Sequence, residues 1–238
     1  MIKRIYGKLP PGYPSDNVIV GRINAYYRAY GTGYDFCTFY EGDNTLALYY
    51  GGELYVHGNE NADTESLLAF SDMLGVGAVM SDIRLAEKSE ELYIMASDTA
   101  PTAHGNDHLE AEFTEDYRAV FEILKSGFAL CYDQFDDWYA DTCHRVRHGV
   151  SRLLVMYSGD IPVATATVLY GDDKSCFLSH IAVRQDMQKN GIGKALLSSA
   201  ARLLDNRKIT LACKKNVRQF YVNCGFKATG TAYEITRG

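Results

Sequence analysis

A polar turn between a predicted strand and a predicted helix combines two glycines, Gly191 and Gly193, with two lysines, Lys189 and Lys194. The first turn of a helix presents unpaired N–H groups and the positive end of the helix dipole, which together favour a bound anion. Glycines let a bulky phosphate approach the backbone without meeting a Cβ, and the lysines could add positive charge at the rim. The pattern predicts a phosphate site. A helix that starts with small residues for close packing would show the same local pattern.

Two motifs in the C-terminal half occur in the order seen in a known enzyme family. Gln188-x-x-Gly191-x-Gly193 resembles the Q/R-x-x-G-x-G/A acetyl-CoA signature of the GNAT superfamily of N-acetyltransferases. The segment FYVNCGF, which begins at Phe220, is similar to the F-Y-x-x-x-G-F segment that closes the domain in that superfamily. The resemblance covers about residues 110–238. It implies an enzyme that moves an acetyl group from acetyl-CoA to a primary amine by direct attack.

The resemblance also implies where the co-substrate acetyl-CoA binds. The strand before the signature would lend backbone groups to the pantetheine arm, and N–H groups of the following turn would hold the pyrophosphate. The implied contacts are Ile181, Ala182, Val183, Gln188, Lys189, Asn190, Gly191, Ile192, Gly193, Lys194, Ala195, Asn216 and Tyr221. Family members often carry an asparagine seven residues before the tyrosine, whereas Asn216 precedes Tyr221 by five. A helix N-cap is therefore an alternative role for Asn216.

The implied catalytic groups come from the second motif and from the strand before the first. Tyr221 matches the tyrosine that in many family members donates a proton to the departing sulfur, and a phenol with an ordinary pKa near about 10 is protonated at neutral pH. Packing in the core or against the cofactor is the alternative role of Tyr221. Strict alternation places Phe177, Ser179 and Ile181 on one face of the strand. His180 would then point to the other face, unless a local bulge reverses the phase. Ser179 and His180 are the candidates for the base side of the reaction, and a packed histidine is the alternative for His180.

The elements around the two motifs predict an α/β fold with a mixed sheet. Helices are predicted over 114–126 and 135–147, strands over 152–157, 161–170 and 175–183, a helix over 192–204, a strand over 209–213, a helix over 216–223 and a last strand region over 225–235. The three consecutive strands are joined by tight turns, so they should form an antiparallel meander. Helices on the faces of a mixed sheet are the arrangement that this order favours.

Residues 1–100 are predicted to form a smaller α/β domain without a cofactor signature. Strands are predicted over 36–40, 45–50, 53–57, 76–80 and 91–95, with a helix from 63 or 64 to 74. Gly51-Gly52 is a two-residue hairpin signal, and Gly75 ends the helix. The polar, Pro- and Gly-containing stretch at 97–107 predicts a boundary, so the GNAT-like domain is assigned to residues 101–238. The order of elements in the N-terminal domain could mimic a reduced second GNAT-like unit.

Composition narrows the classes of partner. The net charge is −6, the pI is about 5.5, and no dense Lys/Arg run occurs, so nucleic acid is not an expected partner. An acidic protein suits a cationic amine acceptor, either a small molecule or a peptide. No apolar run is long enough to span a membrane and no signal-like core follows the start, so a cytoplasmic protein is expected. The six cysteines form no CxxC pair, and we expect buried thiols without disulfides. The sequence leaves an oligomer possible.

Several other patterns carry less information. The spacing H-x-x-x-H occurs at 104–108 and 144–148, but neither pair has the HExxH pattern, and no metal site is expected. Lys214 and Lys215 could reach a phosphate or form a solvated face. Four aspartates could attract a cationic amine or form a solvated acidic face: Asp133, Asp136, Asp137 and Asp141. A non-catalytic acyl-CoA-binding or protein-interaction module is the alternative to the enzyme.

Overall fold

The computed structural model describes residues 1–14, 16–98, 109–128, 134–205 and 207–237. The strands are β1 (Lys3–Ile5), β2 (Cys37–Gly42), β3 (Thr45–Tyr50), β4 (Glu53–Gly58), β5 (Ala78–Ser81), β6 (Glu90–Ser97), β7 (Ala111–Thr114), β8 (Arg152–Ser158), β9 (Ile161–Gly171), β10 (Ser175–Val183), β11 (Lys208–Lys214) and β12 (Lys227–Thr236). The helices are α1 (Val18–Tyr30), α2 (Thr64–Leu74), α3 (Tyr117–Gly127), α4 (Phe135–Arg147), α5 (Ile192–Leu203) and α6 (Arg218–Asn223). None of the described helices is long and apolar enough to cross a membrane.

The chain divides into two compact units. The first unit contains Met1–Ile94, Ala212–Lys215 and Gly230–Gly238, and the second contains Met95–Leu211 and Asn216–Thr229. The predicted boundary between residues 100 and 101 falls in the stretch 99–108, which lies outside the described residues.

The second unit is built on the predicted meander. β8, β9 and β10 pair antiparallel, β7 adds an antiparallel edge beside β8, and β10 pairs parallel with β11 after α5 has crossed between them. This combination of parallel and antiparallel pairs confirms the predicted mixed sheet. Leu153 and Val155 pack against the apolar stripe of α3 and against Trp138 of α4. Leu154 and Met156 point to the opposite face of β8 by alternation and are also fully buried, so both faces of this strand are covered.

The first unit has the same order of elements. α1 precedes the antiparallel meander β2-β3-β4, and α2 then leads to β5, which pairs parallel with β4. In the second unit α4, β8-β9-β10, α5 and β11 follow one another in this way. The core of the first unit is formed by small and branched side chains between the sheet and α2, among them Leu54, Val56, Leu67 and Val79. β12 contributes an antiparallel partner to β5 within this unit.

Most predicted elements are confirmed, and three were missed. The hairpin turn at Gly51-Gly52 has positive φ at both residues, 57° and 83°, as a primed turn requires. Helix α2 ends at Leu74 with Gly75 in the left-handed conformation, as predicted. Helix α1 and the short edge strands β1 and β7 were not predicted. The five described cysteines are all buried, and Cys131 lies outside the described residues.

Candidate active site

Strand β10, which leads into the signature turn, contains a β-bulge. Ser179 is registered with Thr167 and Ala182 with Thr165, so three residue steps on β10 oppose two on β9. His180 lies in the bulge with a positive φ of 50°. A bulge withdraws one residue from the ladder and changes the direction of the side chains after it. The strict alternation assumed for Phe177, Ser179 and Ile181 is therefore wrong, and the phase that set His180 on the opposite face does not hold.

Only the beginning of β10 is paired with the parallel strand β11. The registered pairs run from Ser175 with Lys208 to Phe177 with Thr210. β10 then continues through Val183, and among the described residues this second half has no registered parallel partner. Its backbone groups on that side are thus not used in the β10–β11 ladder. An elongated ligand that forms strand-like hydrogen bonds would fit against this half of β10.

The turn between β10 and α5 has a defined backbone. Residues Gln185–Met187 form a short 3-10 turn, and Lys189 has a positive φ of 64°. The side-chain amide of Gln188 donates to the carbonyl oxygen of Val183 at 3.2 Å. Gly191 is the N-cap of α5 with φ 78° and ψ −4°, a left-handed conformation that other residues adopt only with strain. Gln188, Lys189, Asn190 and Gly191 are all exposed on this turn.

The N-terminus of α5 differs from those of the other long helices. Asn17, Asp63 and Asp116 cap α1, α2 and α3 with side-chain oxygens, and Asp136 and Asp137 lie in the first turn of α4. Within the described part of the chain, α5 alone among helices of eight or more residues has neither a side-chain cap nor an acidic first turn. Lys194 and Ala195 donate to the Gly191 carbonyl at 3.1 Å each, which leaves the preceding N–H groups for an outside acceptor.

The two signature glycines serve different purposes. Gly191 is needed for its left-handed backbone, as described above. At Gly193, a Cβ would lie 3.2 Å from Cζ of Phe220 and 3.6 Å from Cγ2 of Val183. The missing side chain at Gly193 therefore lets α5 pack closely against the second motif and against the end of β10. For Gly193 this is the close packing that the sequence analysis gave as the alternative to a phosphate contact.

Tyr221 is buried in the second unit. Its side chain has 9% relative exposure, and its ring lies 5.1 Å from Phe220 and 5.8 Å from Phe226, nearly perpendicular to each. Cys224 directly follows the end of α6 and is also buried. Burial raises the pKa of the Cys224 thiol, against a smaller opposing effect of Lys194, so this thiol is not an activated nucleophile.

The remaining predicted contacts lie in or beside the turn that precedes α6. Asn216 is exposed in the 3-10 turn Lys215–Val217. The N-cap of α6 is Val217, without a side-chain cap bond, so the N-cap role suggested for Asn216 is wrong. Lys214 bonds to Glu90 at 2.8 Å and lies 3.4 Å from Glu234 within the first unit, and the Glu90 hydrogen bond raises the pKa of Lys214.

Of the four aspartates that could either attract a cationic amine or form a solvated acidic face, those that the structure describes lie in different environments. Asp136 and Asp137 are exposed at the start of α4. Asp141 instead forms an ion pair with buried Arg145 at 2.7 Å, so its charge is compensated internally. Asp133 lies outside the described residues, as do His104 and His108. The rings of His144 and His148 have centroids 4.3 Å apart, and no group of three possible metal ligands occurs in the described ranges.

Two residues that sequence reasoning missed contact the signature turn. The hydroxyl of Ser126, near the end of α3, accepts a hydrogen bond from the backbone N–H of Gln185 at 3.0 Å. Gly127, the last residue of α3, approaches the end of β10 so closely that a Cβ would be 3.1 Å from the Val183 carbonyl oxygen. Gly127 was interpreted only as a helix stop. No sequence pattern pointed to Ser126, because its hydrogen-bond partner is 59 residues away in the sequence.

Comparison with known proteins agrees with this geometry. The family model of the acetyltransferase (GNAT) domain matches residues 149–228, which contain β8 through α6 and both motifs. A search of curated proteins found no match. Among solved structures, a GCN5-related N-acetyltransferase from Kribbella flavida is 9% identical with a TM-score of 0.61, covering 92% of this chain and 93% of the other.

Two further solved structures are similar along almost the whole chain. A GCN5-related N-acetyltransferase from Sphaerobacter thermophilus is 15% identical with a TM-score of 0.59, covering 98% of this chain and 94% of the other. A GNAT-family acetyltransferase from Colwellia psychrerythraea is 11% identical with a TM-score of 0.55, covering 99% and 100%. At these identities the solved structures establish the shared fold alone. The likeness to the acetyltransferase (GNAT) domain model thus covers residues 149–228, and the likeness in fold to the solved structures extends over almost the whole chain.

Proposed function

We propose that this protein transfers an acetyl group from acetyl-CoA to the primary amine of a small-molecule or peptide acceptor. The observation that carries the proposal is the open N-terminus of α5, placed directly after a bulged strand whose second half has no registered parallel partner. The first feature suits a pyrophosphate and the second suits the pantetheine arm. Their succession within a few residues gives a site for one long ligand with both parts.

The pyrophosphate is assigned to the turn from Gln188 to Ala195. The free N–H groups at the start of α5 and the positive end of its dipole face this turn. Lys189 and Lys194 add positive charge, and Asn190 adds a side-chain amide. The matching helix of the first unit, α2, is closed to such a ligand, because Asp63 already accepts hydrogen bonds from the N–H and the hydroxyl of Ser66. We therefore assign one acetyl-CoA site, in the second unit.

The pantetheine arm and the thioester are assigned to Ile181, Ala182 and Val183 on the second half of β10. The bulge interrupts the register between β10 and β9 after Ser179, and the pairing resumes at Ala182. An N–H in this stretch can donate to the oxygen that becomes negative when the amine attacks the thioester carbon. Asn216 is kept as a further contact on the turn before α6.

The proposed chemistry needs one group to take a proton and one to give it. The neutral amine forms the C–N bond, the C–S bond breaks, and the CoA sulfur receives the proton of the Tyr221 hydroxyl. His180 is proposed to accept the proton that the amine loses, directly or through water, since the bulge gives it a backbone conformation unlike its strand neighbours. Ser179, half-buried beside it, is proposed to bind the acceptor.

Turnover of acetyl-CoA with a panel of primary amines tests the proposal, with Tyr221→Phe as the decisive variant. Phenylalanine keeps the ring contacts with Phe220 and Phe226, so the fold should be unaffected. We expect kcat to fall by about a hundredfold with little change in the KM for acetyl-CoA. Tyr157→Phe, at a half-buried tyrosine of the same unit, is the control and should leave kcat unchanged. Acetyl-CoA binding without turnover of any amine would overturn the enzyme assignment and support a non-catalytic acyl-CoA-binding module.

A further inference from the structure

The last turn of α3 is fastened to the turn that carries the acetyl-CoA signature. The hydroxyl of Ser126 accepts the backbone N–H of Gln185, the first residue of the 3-10 turn, at 3.0 Å. This hydrogen bond joins two segments 59 residues apart. It is the contact through which α3 fixes the start of the signature turn.

Gly127 makes this contact possible. A Cβ on Gly127 would lie 3.1 Å from the Cβ of Ala182 and 3.1 Å from the carbonyl oxygen of Val183, closer than such atoms ordinarily approach. Its φ is not in the left-handed region, so the glycine is needed for the close approach and not for a special backbone conformation. A side chain here would push α3 and the end of β10 apart, and the hydroxyl of Ser126 would move with α3.

The other contacts of the turn come from neighbouring strands and from the turn itself. Arg184 donates its N–H to the carbonyl of Val163 on β9 at 2.9 Å. The amide of Gln188 donates to the carbonyl of Val183 at 3.2 Å. The Ser126 bond therefore holds the segment at Gln185, one residue after the Arg184 contact, and the side chains that follow are mostly exposed.

We propose that Ser126 and Gly127 are positioning residues for acetyl-CoA. They set the path of Gln185 to Gly191 before the ligand arrives, so that the N–H groups at the start of α5 already converge on the phosphate position. If the turn had to become ordered on binding, the free energy of that ordering would weaken the affinity for acetyl-CoA. A turn that is already ordered in the free protein avoids this cost. This inference rests on the proposed function, and it adds α3 to the machinery that binds acetyl-CoA.

The first test compares the steady-state kinetics of Ser126→Ala and Ser126→Thr in the full-length protein. Loss of one hydrogen bond of ordinary strength should raise the KM for acetyl-CoA about fivefold, with kcat within about twofold of wild type. Threonine keeps the hydroxyl and should restore the wild-type KM. Gly127→Ala should raise the KM in the same direction and by more, because the new Cβ meets backbone and not a flexible side-chain end.

Ser199→Ala is the matched control. Ser199 also accepts a backbone N–H from a distant residue of the second unit, Ala111 at 2.8 Å, but on α5 away from the signature turn. Its loss should lower stability and leave the KM for acetyl-CoA unchanged. If Ser126→Ala also lowered only the stability and the fraction of active protein and left the KM for acetyl-CoA unchanged, the role of Ser126 would be structural. The proposal would then be wrong.

Hydrogen exchange of the ligand-free protein separates this proposal from the proposed function. Amides of residues 185–191 should exchange faster in Ser126→Ala than in wild type, and equally fast in Ser199→Ala and wild type. Unchanged exchange in Ser126→Ala would overturn the positioning role even if acetyl-CoA is a substrate. If the wild type fails to bind acetyl-CoA while Ser126→Ala still exchanges faster, the proposed function is wrong. Acetyl-CoA would then not be the ligand of this turn.

Discussion

Replacement of Gly191 by glutamate, with glutamine as the matched control, tests the position of the pyrophosphate. Gly191 is the N-cap of α5 and has φ 78°, so any other residue there is strained. Glutamate and glutamine have almost the same shape, and the left-handed conformation costs each of them about 1–2 kcal/mol. The two variants should therefore be destabilised to a similar extent. They differ in one negative charge, placed where the diphosphate is proposed to bind.

The size of the effect follows from that charge. A carboxylate about 6 Å from a diphosphate of about two negative charges is repelled by about 1.4 kcal/mol in bulk water and about 5.5 kcal/mol at the effective dielectric of a protein surface. Taking about 3 kcal/mol, the glutamate variant should bind acetyl-CoA about a hundredfold more weakly than the glutamine variant. High salt should reduce this difference, because the site is exposed to solvent.

Equilibrium dialysis with labelled acetyl-CoA at low and high salt measures both dissociation constants. Circular dichroism of the two variants checks that each is folded. Equal dissociation constants for Gly191→Glu and Gly191→Gln at low salt would refute the reasoning, since they would mean that no phosphate lies near the N-cap of α5.

Two further predictions concern stability of the second unit. Arg145 is 2% exposed and its guanidinium bonds Asp141 through Nε and Nη2, so Asp141→Ala should leave a buried charge unpaired and lower the free energy of unfolding in urea by about 3 kcal/mol. Adding Arg145→Met should recover most of this loss, and a double variant as unstable as the single one would contradict the explanation. Burial raises the pKa of Cys176 to about 11, opposed by Arg207. The folded state therefore binds this proton more tightly than the unfolded chain, so the stabilisation is complete below about pH 9 and is lost as the pH rises to about 11. Between these pH values the free energy of unfolding, measured by urea denaturation, should fall by roughly 2 kcal/mol more for the wild type than for Cys176→Ala. An equal fall in the two proteins would contradict the raised pKa of Cys176.

The sequence was most informative where structure depends on neighbouring residues. The start of α5 was predicted because a strand, a Gly-containing turn and an amphipathic helix follow one another within a few residues. The same holds for α2, whose Asp63 cap and Gly75 end are local signals. Both belong to the part of the fold that turn chemistry and helix periodicity determine.

The features that the sequence did not reveal depend on packing between distant segments. α1 buries eight of its residues, and its valine, isoleucine and tyrosine content favours strands as much as helices, so its tertiary contacts outweigh that preference. The bulge at His180 depends on pairing with β9 and cannot be seen in β10 alone. The bond from Ser126 to Gln185 and the pairing of Asp141 with Arg145 likewise need the folded chain.

Acetyl-CoA binding in the second unit is the property from which the proposed function follows most directly. Isothermal titration calorimetry of acetyl-CoA into the full-length wild-type protein measures this. Saturable binding of one acetyl-CoA per chain is the predicted result, since α5 alone among the described helices of eight or more residues has the open N-terminus that we assign to the pyrophosphate. No saturable binding at millimolar acetyl-CoA, or binding of two molecules per chain, would contradict the account.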